Sequence, residues 1–101
     1  MPEERYSVSF SVALGWADKS GLVRRTNGRC LDLSPEGMKI ETRDRLDTGT
    51  VVTVQSGEFG RMGHATVRHV NREKMQCLVG LKFGAAFGLG DPARQKILER
   101  S

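Results

Sequence analysis

From Tyr6 to Val12 serines alternate with larger residues, and Leu14 and Trp16 continue the apolar side. Side chains two residues apart share one face of a strand, so this period predicts a half-buried strand over residues 6–16 with Val8, Phe10, Val12, Leu14 and Trp16 turned inward. Residues 17–21 read as a hairpin loop. Residues 22–31 form a second apolar-polar run, in which Asn27-Gly28 marks a bulge or a break. The alternation returns over 38–42, a third strand. A polar stretch then ends in the turn signal Asp47-Thr48-Gly49, and the β-branched run 50–55 follows as a fourth. Gly57, Gly60 and Gly63 mark 56–63 as a connection, after which 64–70 and 75–83 pair as a hairpin across the polar turn 71–74. Three glycines in 84–90 break the pattern. Asp91-Pro92 then supplies an N-cap and a first helical residue for a short helix through Ala93, Ile97 and Leu98. Six strands with short turns predict an all-β fold, a six-stranded antiparallel β-barrel with a short C-terminal α-helix, because closure removes the edges that so small a sheet would expose.

Length and charge narrow the class. A chain of 101 residues is expected to be a single domain, with a tail over 1–5, the barrel over 6–84 and the helix over 91–100, burying about two thirds of its unfolded surface without staples. The net charge of +4 favours anionic partners, yet the basic residues are too interspersed for a duplex-binding stripe, so DNA and RNA are poor candidates. Cys30 and Cys77 each sit in an apolar run, as reduced, buried thiols would. No apolar run approaches the ~20 residues of a membrane span, and the polar start Met1-Pro2-Glu3-Glu4-Arg5 is no signal peptide. A soluble, cytoplasmic protein is expected.

Most of the reactive side chains lack the company that chemistry needs. His64 and His69, five apart, fall on opposite faces of one strand by parity, and neither cysteine has a close-spaced ligand, so no metal or other cofactor is expected. Neither a nucleophile elbow nor a phosphate-binding loop is present, and the chain is not expected to be an enzyme. Phe10, Trp16, Phe83 and Phe87 suit a core better than a base-stacking surface. What stands out is the corner Asp32-Leu33-Ser34-Pro35-Glu36-Gly37. Asp32 and Ser34 share a strand face at its rim, Pro35 fixes its φ, Gly37 can take a positive φ, and the amides of the bend are available to an anion. An acid and a hydroxyl before a turn also commonly satisfy only their own backbone.

This corner resembles the D/N-x-S-x-x-G motif of PilZ domains, small bacterial β-barrels of the split-barrel type that bind cyclic di-GMP. The resemblance extends along nearly the whole chain, to residues 46–49, 65–70 and the glycine-containing strand 79–83. It implies a cyclic di-GMP sensor or adaptor in second-messenger signalling, working with motility, pilus or exopolysaccharide proteins and without membrane insertion. By the same resemblance Asp32, Ser34 and Gly37 are ligand-binding residues, and an R-x-x-x-R motif is expected ahead of the first strand. Arg5 fits its first position, whereas Ser9 stands at the second. A guanidinium can fork onto a phosphate or a guanine edge and can stack on a purine, which a serine cannot do. Among arginines able to compensate, Arg24, Arg25 and Arg68, parity along the second strand selects Arg24, on the side of Cys30, Asp32 and Ser34. The Ser9 departure also supports a second reading, a divergent PilZ-like barrel that no longer takes the nucleotide and serves as a protein-interaction module. An oligonucleotide-binding barrel is a third.

Overall fold

A computed structural model describes residues 6–58 and 60–84. Their strands are β1 (Tyr6–Ala17), β2 (Val23–Leu33), β3 (Gly37–Thr42), β4 (Val51–Ser56), β5 (Gly60–Glu73) and β6 (Gln76–Phe83). They close antiparallel into a barrel in the order β1-β2-β3-β6-β5-β4, with Ala13, Leu14 and Gly15 of β1 paired to Gln55, Val54 and Thr53 of β4 at the seam. The expected tail 1–5 with Arg5, the helix 91–100 and Phe87 lie outside the described residues.

The interior is what the alternation dictates. Phe10, Val12 and Leu14 of β1 meet Met38 and Ile40 of β3, Val52 and Val54 of β4, and Val79 and Leu81 of β6, all buried, while Val8, Trp16, Val70 and Phe83 pack partly buried against them. Leu46 reaches in from the β3–β4 connection and is 2% exposed. Cys30 and Cys77 are buried free thiols. One polar pair, Thr26 and Thr42, is admitted with the hydroxyls 3.1 Å apart, and the Thr42 hydroxyl also donates to the Asn27 carbonyl, so burial leaves neither unsatisfied.

Four sequence expectations need correction. Asn27-Gly28 is no bulge: Gly28 pairs in register with Val12 on one side and Thr42 on the other, and the irregularity lies further on, between Cys30 and Asp32. The glycine-spaced run is not all connection either. β5 starts at Gly60 and takes up a register shift opposite Val54 and Gln55. At its other end it continues to Glu73, so the β5–β6 turn is only Lys74 and Met75, because Asn71, Arg72 and Glu73 are strand residues exposed to solvent and carry no apolar signal. Finally, a second bulge in β5, between Val67 and His69, overturns the parity argument, and His64 and His69 are both exposed. No three potential metal ligands cluster among the described residues. Nor does any described helix have the length and apolarity to cross a membrane.

Candidate functional site

The β2–β3 corner is a tight, internally bonded turn. The Ser34 amide donates to the Gly37 carbonyl at 2.9 Å, the Gly37 amide donates to the Ser34 hydroxyl at 3.2 Å, and that hydroxyl donates back to the Gly37 carbonyl at 3.3 Å. Phe83 then donates its amide to the Glu36 carbonyl at 2.8 Å, tying the bend to the end of β6. The amides of Ser34 and Gly37 are therefore committed to the turn, contrary to the expectation of a bend open to an anion. A hydroxyl oxygen carries two lone pairs, so Ser34 retains one acceptor position.

Gly37 is glycine for a different reason from the one expected. Its φ is not positive. Instead β3 passes so near β6 that a Cβ there would lie 2.0 Å from the Leu81 carbonyl oxygen. That close approach brings β6 up against the corner.

Bulges decide which side chains share the outer face. Along β2, Cys30 and Leu33 both point into the core although three positions apart, because β3 pairs Ile40 with Cys30 and Lys39 with Asp32, leaving Leu31 as the extra residue. The face therefore flips at Leu31. Asp32 is turned outward, onto the side of Arg29 rather than that of Arg24. The same device in β5 leaves Arg68 and His69, adjacent in sequence, both exposed. Across the barrel wall a row then forms of Ser7, Asp32, Lys39, Gly80 and His69, each opposite the next.

Gly80 makes that row concave. It carries no side chain, and the His69 ring lies beside it, its Cδ2 3.6 Å from where a Cβ would stand. Around this gap opens a basin of about 510 Å³, lined by Asp32, Ser34, Glu36 and Gly37 at one end and by Lys39, Arg68, His69 and Lys82 beyond them. Two carboxylates, Asp32 and Glu36, and a hydroxyl at one end, with the cations Lys39, Arg68 and Lys82 beyond them, suit a ligand that combines hydrogen-bond donors with negative charge. The structure thus unites Asp32, Ser34 and Gly37 as expected. Lys39, His69, Gly80 and Lys82 were not foreseen, because only the pairing of β3 with β6 and the β5 bulge bring them alongside.

Arg24 is elsewhere. Its Nε donates to the Asp18 carboxylate at 2.8 Å in the β1–β2 hairpin, eight residues and so about 26 Å of strand from Asp32. Asp18 also accepts from the Ser20 hydroxyl and from the Ser20 and Leu22 amides. These bonds, the Ser20 hydroxyl's first and that of Arg24 next, hold its carboxyl well below the usual carboxylate range. Parity misplaced Arg24 because it was counted through an unseen bulge. Ser9, the other departure, is exposed on β1, and its hydroxyl accepts a 2.9 Å hydrogen bond from Arg29 Nη1. Beneath the face, burial pushes the Cys30 thiol up to about 12.

Comparison with known proteins agrees with this architecture. The family model for the PilZ domain matches residues 2–99. No curated protein matches the chain. Among solved structures, MrkH, described as a cyclic di-GMP-dependent transcription regulatory factor, is 17% identical with a TM-score of 0.62 over 99% of this chain and 50% of its own. The PilZ domain of Escherichia coli YcgR, solved with cyclic di-GMP, is 13% identical with a TM-score of 0.63, covering 99% of this chain and 87% of that one. The longer YcgR structure in complex with the same nucleotide gives 15%, 0.63, and 99% against 43%. The chain thus spans half the length of MrkH and less than half of the longer YcgR chain, and at these identities the likeness is one of fold.

Proposed function

The chain belongs to the PilZ domain family, and from that premise we propose that it is a cyclic di-GMP-binding sensor or adaptor domain that takes the nucleotide on the outer face of β2, β3, β6 and β5. The observation that carries this reading is the basin itself, in which Asp32 and Ser34 border Lys39 and Lys82, with Arg68 beyond the bare backbone of Gly80. Cyclic di-GMP pairs two guanines with two phosphodiesters and is doubly negative. A carboxylate accepts from the N1–H and N2–H edge of guanine, ammonium and guanidinium groups meet the phosphates, and a glycine floor lets a flat base approach the strand. Gly37 acts indirectly by holding β6 against the corner.

Arg5 is assigned the first cationic position over the site. β1 starts with Tyr6 opposite Leu33 and Ser7 opposite Asp32, so the chain enters the barrel beside the corner. Arg24, tied to Asp18 at the far end of β2, is withdrawn as a ligand residue. No step in this function makes or breaks a covalent bond, and cytoplasmic signalling is the setting the reading implies.

Isothermal titration with cyclic di-GMP is the direct test. Saturable binding is expected, with Asp32→Ala and Arg5→Ala each weakening it about tenfold to a hundredfold, the worth of a charged hydrogen bond. Absence of heat at high micromolar nucleotide rejects the reading. The alternative, a barrel that keeps the fold and binds a protein partner instead, is favoured by one observation: the Ser34 hydroxyl is already bonded to Gly37 in both roles. A partner recovered equally with and without nucleotide, from a protein that gives no heat, selects it.

A further inference from the structure

We propose that Arg29 is a ligand-binding cation of this site, a guanidinium held in place by Ser9 to close the β1–β2 flank of the basin. The inference rests on the dinucleotide reading above and extends it to a residue on another strand pair. The cations that line the basin, Lys39, Arg68 and Lys82, come from β3, β5 and β6, on one side of Asp32. A ligand with two phosphodiesters seated over Asp32 needs positive charge on the other side as well. The cations that β1 and β2 themselves carry among the described residues are Arg24, Arg25 and Arg29. Arg24 is paired with Asp18, and Arg25 lies opposite Gly15, far along the hairpin.

Arg29 is different in three respects. It pairs with Ser11 and Glu41, one row along from the row of Ser7, Asp32 and Lys39. The bulge at Leu31 puts Asp32 on Arg29's face, where unbroken alternation would have separated them. And its guanidinium is positioned rather than loose. Nη1 donates to the Ser9 hydroxyl across the β1–β2 pair at 2.9 Å. One of its five N–H groups is thereby used, and the others remain to fork onto a phosphate or a guanine edge. A short hydroxyl on β1 and a long cation on β2 thus bring a charge beside the strand that leads in from Arg5. Neither residue alone would orient it.

Titrations of wild type, Arg29→Ala, Arg29→Lys and Arg25→Ala with cyclic di-GMP test this, with amide chemical-shift maps reporting fold and location. Arg29→Ala is expected to weaken binding about tenfold or more, Arg29→Lys to recover only part of the loss because an ammonium cannot fork, and Arg25→Ala to leave affinity unchanged. Wild-type binding that survives Arg29→Ala, or falls equally in Arg29→Ala and Arg25→Ala, overturns the role of Arg29 while leaving the dinucleotide reading in place. A wild-type protein that binds nothing overturns both.

Discussion

Two glycines of the site do opposite things, and a methyl group tells them apart. At Gly37 the added carbon meets the Leu81 backbone at 2.0 Å, and a backbone oxygen of a residue paired to Met38 on one side and Val67 on the other cannot step aside. Gly37→Ala is therefore expected to cost upward of about 3 kcal/mol in chemical denaturation, beyond ordinary overpacking. At Gly80 the same carbon finds only the His69 side chain at 3.6 Å, ordinary contact. Gly80→Ala should change stability by less than about 1 kcal/mol and still weaken nucleotide binding, because it fills the floor of the basin. Loss of stability and binding together at Gly80 would contradict this division. Cys30 adds a pH dependence of stability. Its thiol is raised to about 12 in the folded chain by burial, from an ordinary value of 9.0. The native state thus holds a proton that the unfolded chain releases. The stabilisation is complete below pH 9, and falls away as pH rises from there toward 12. Denaturation midpoints should decline over that range in wild type, and less steeply in Cys30→Ala.

Strands, rather than residues, explain what sequence could and could not reveal. The inward set Phe10, Val12, Leu14 and Trp16 was legible because β1 alternates without interruption from Phe10 to Trp16, and alternation is a local signal; Val8, at the register shift between Ser7 and Phe10, is also packed against the core. The corner was legible because proline and glycine mark turns. The bulges at Leu31 and Arg68 were not, since the extra residue in each is an ordinary leucine or arginine and only the partner strand shows that it is extra. Each bulge reverses every parity inference beyond it. That error moved Arg24 onto the site, hid Arg29, and set His69 on the wrong face. The β1–β2 hairpin offers a check. Asp18 organises it by accepting from Ser20, Leu22 and Arg24. Asp18→Ala is expected to speed hydrogen exchange at the Ser20 and Leu22 amides and to leave nucleotide affinity unchanged, because this hairpin is the end of the barrel remote from Asp32. Reduced affinity in that variant would tie the two ends together.

Over the whole molecule, the formal charge of +4 is modest, so selectivity for a dianion depends on where the charges stand. Lys39, Arg68 and Lys82 are exposed cations around a shallow basin, and their attraction for a phosphate is screened by salt, with a Debye length of about 10 Å at 0.1 M. Affinity for cyclic di-GMP should accordingly fall as sodium chloride is raised, and Lys39→Gln with Lys82→Gln should flatten that dependence. Salt sensitivity alone does not distinguish a shaped site from a basic patch. The linear dinucleotide pGpG does, because it keeps both guanines and gains negative charge while losing the ring. A patch that attracts by charge would hold it at least as tightly as the cyclic form. A corner in which Asp32, Ser34 and the Gly80 floor are fixed by a rigid barrel wall rewards a ligand already bent to match and leaves the flexible one to meet the ordering cost itself. Cyclic di-GMP is therefore expected to bind the tighter of the two at every salt concentration, with the gap narrowing in Asp32→Ala. Equal or tighter binding of the linear form would mean that the barrel offers charge and no shape.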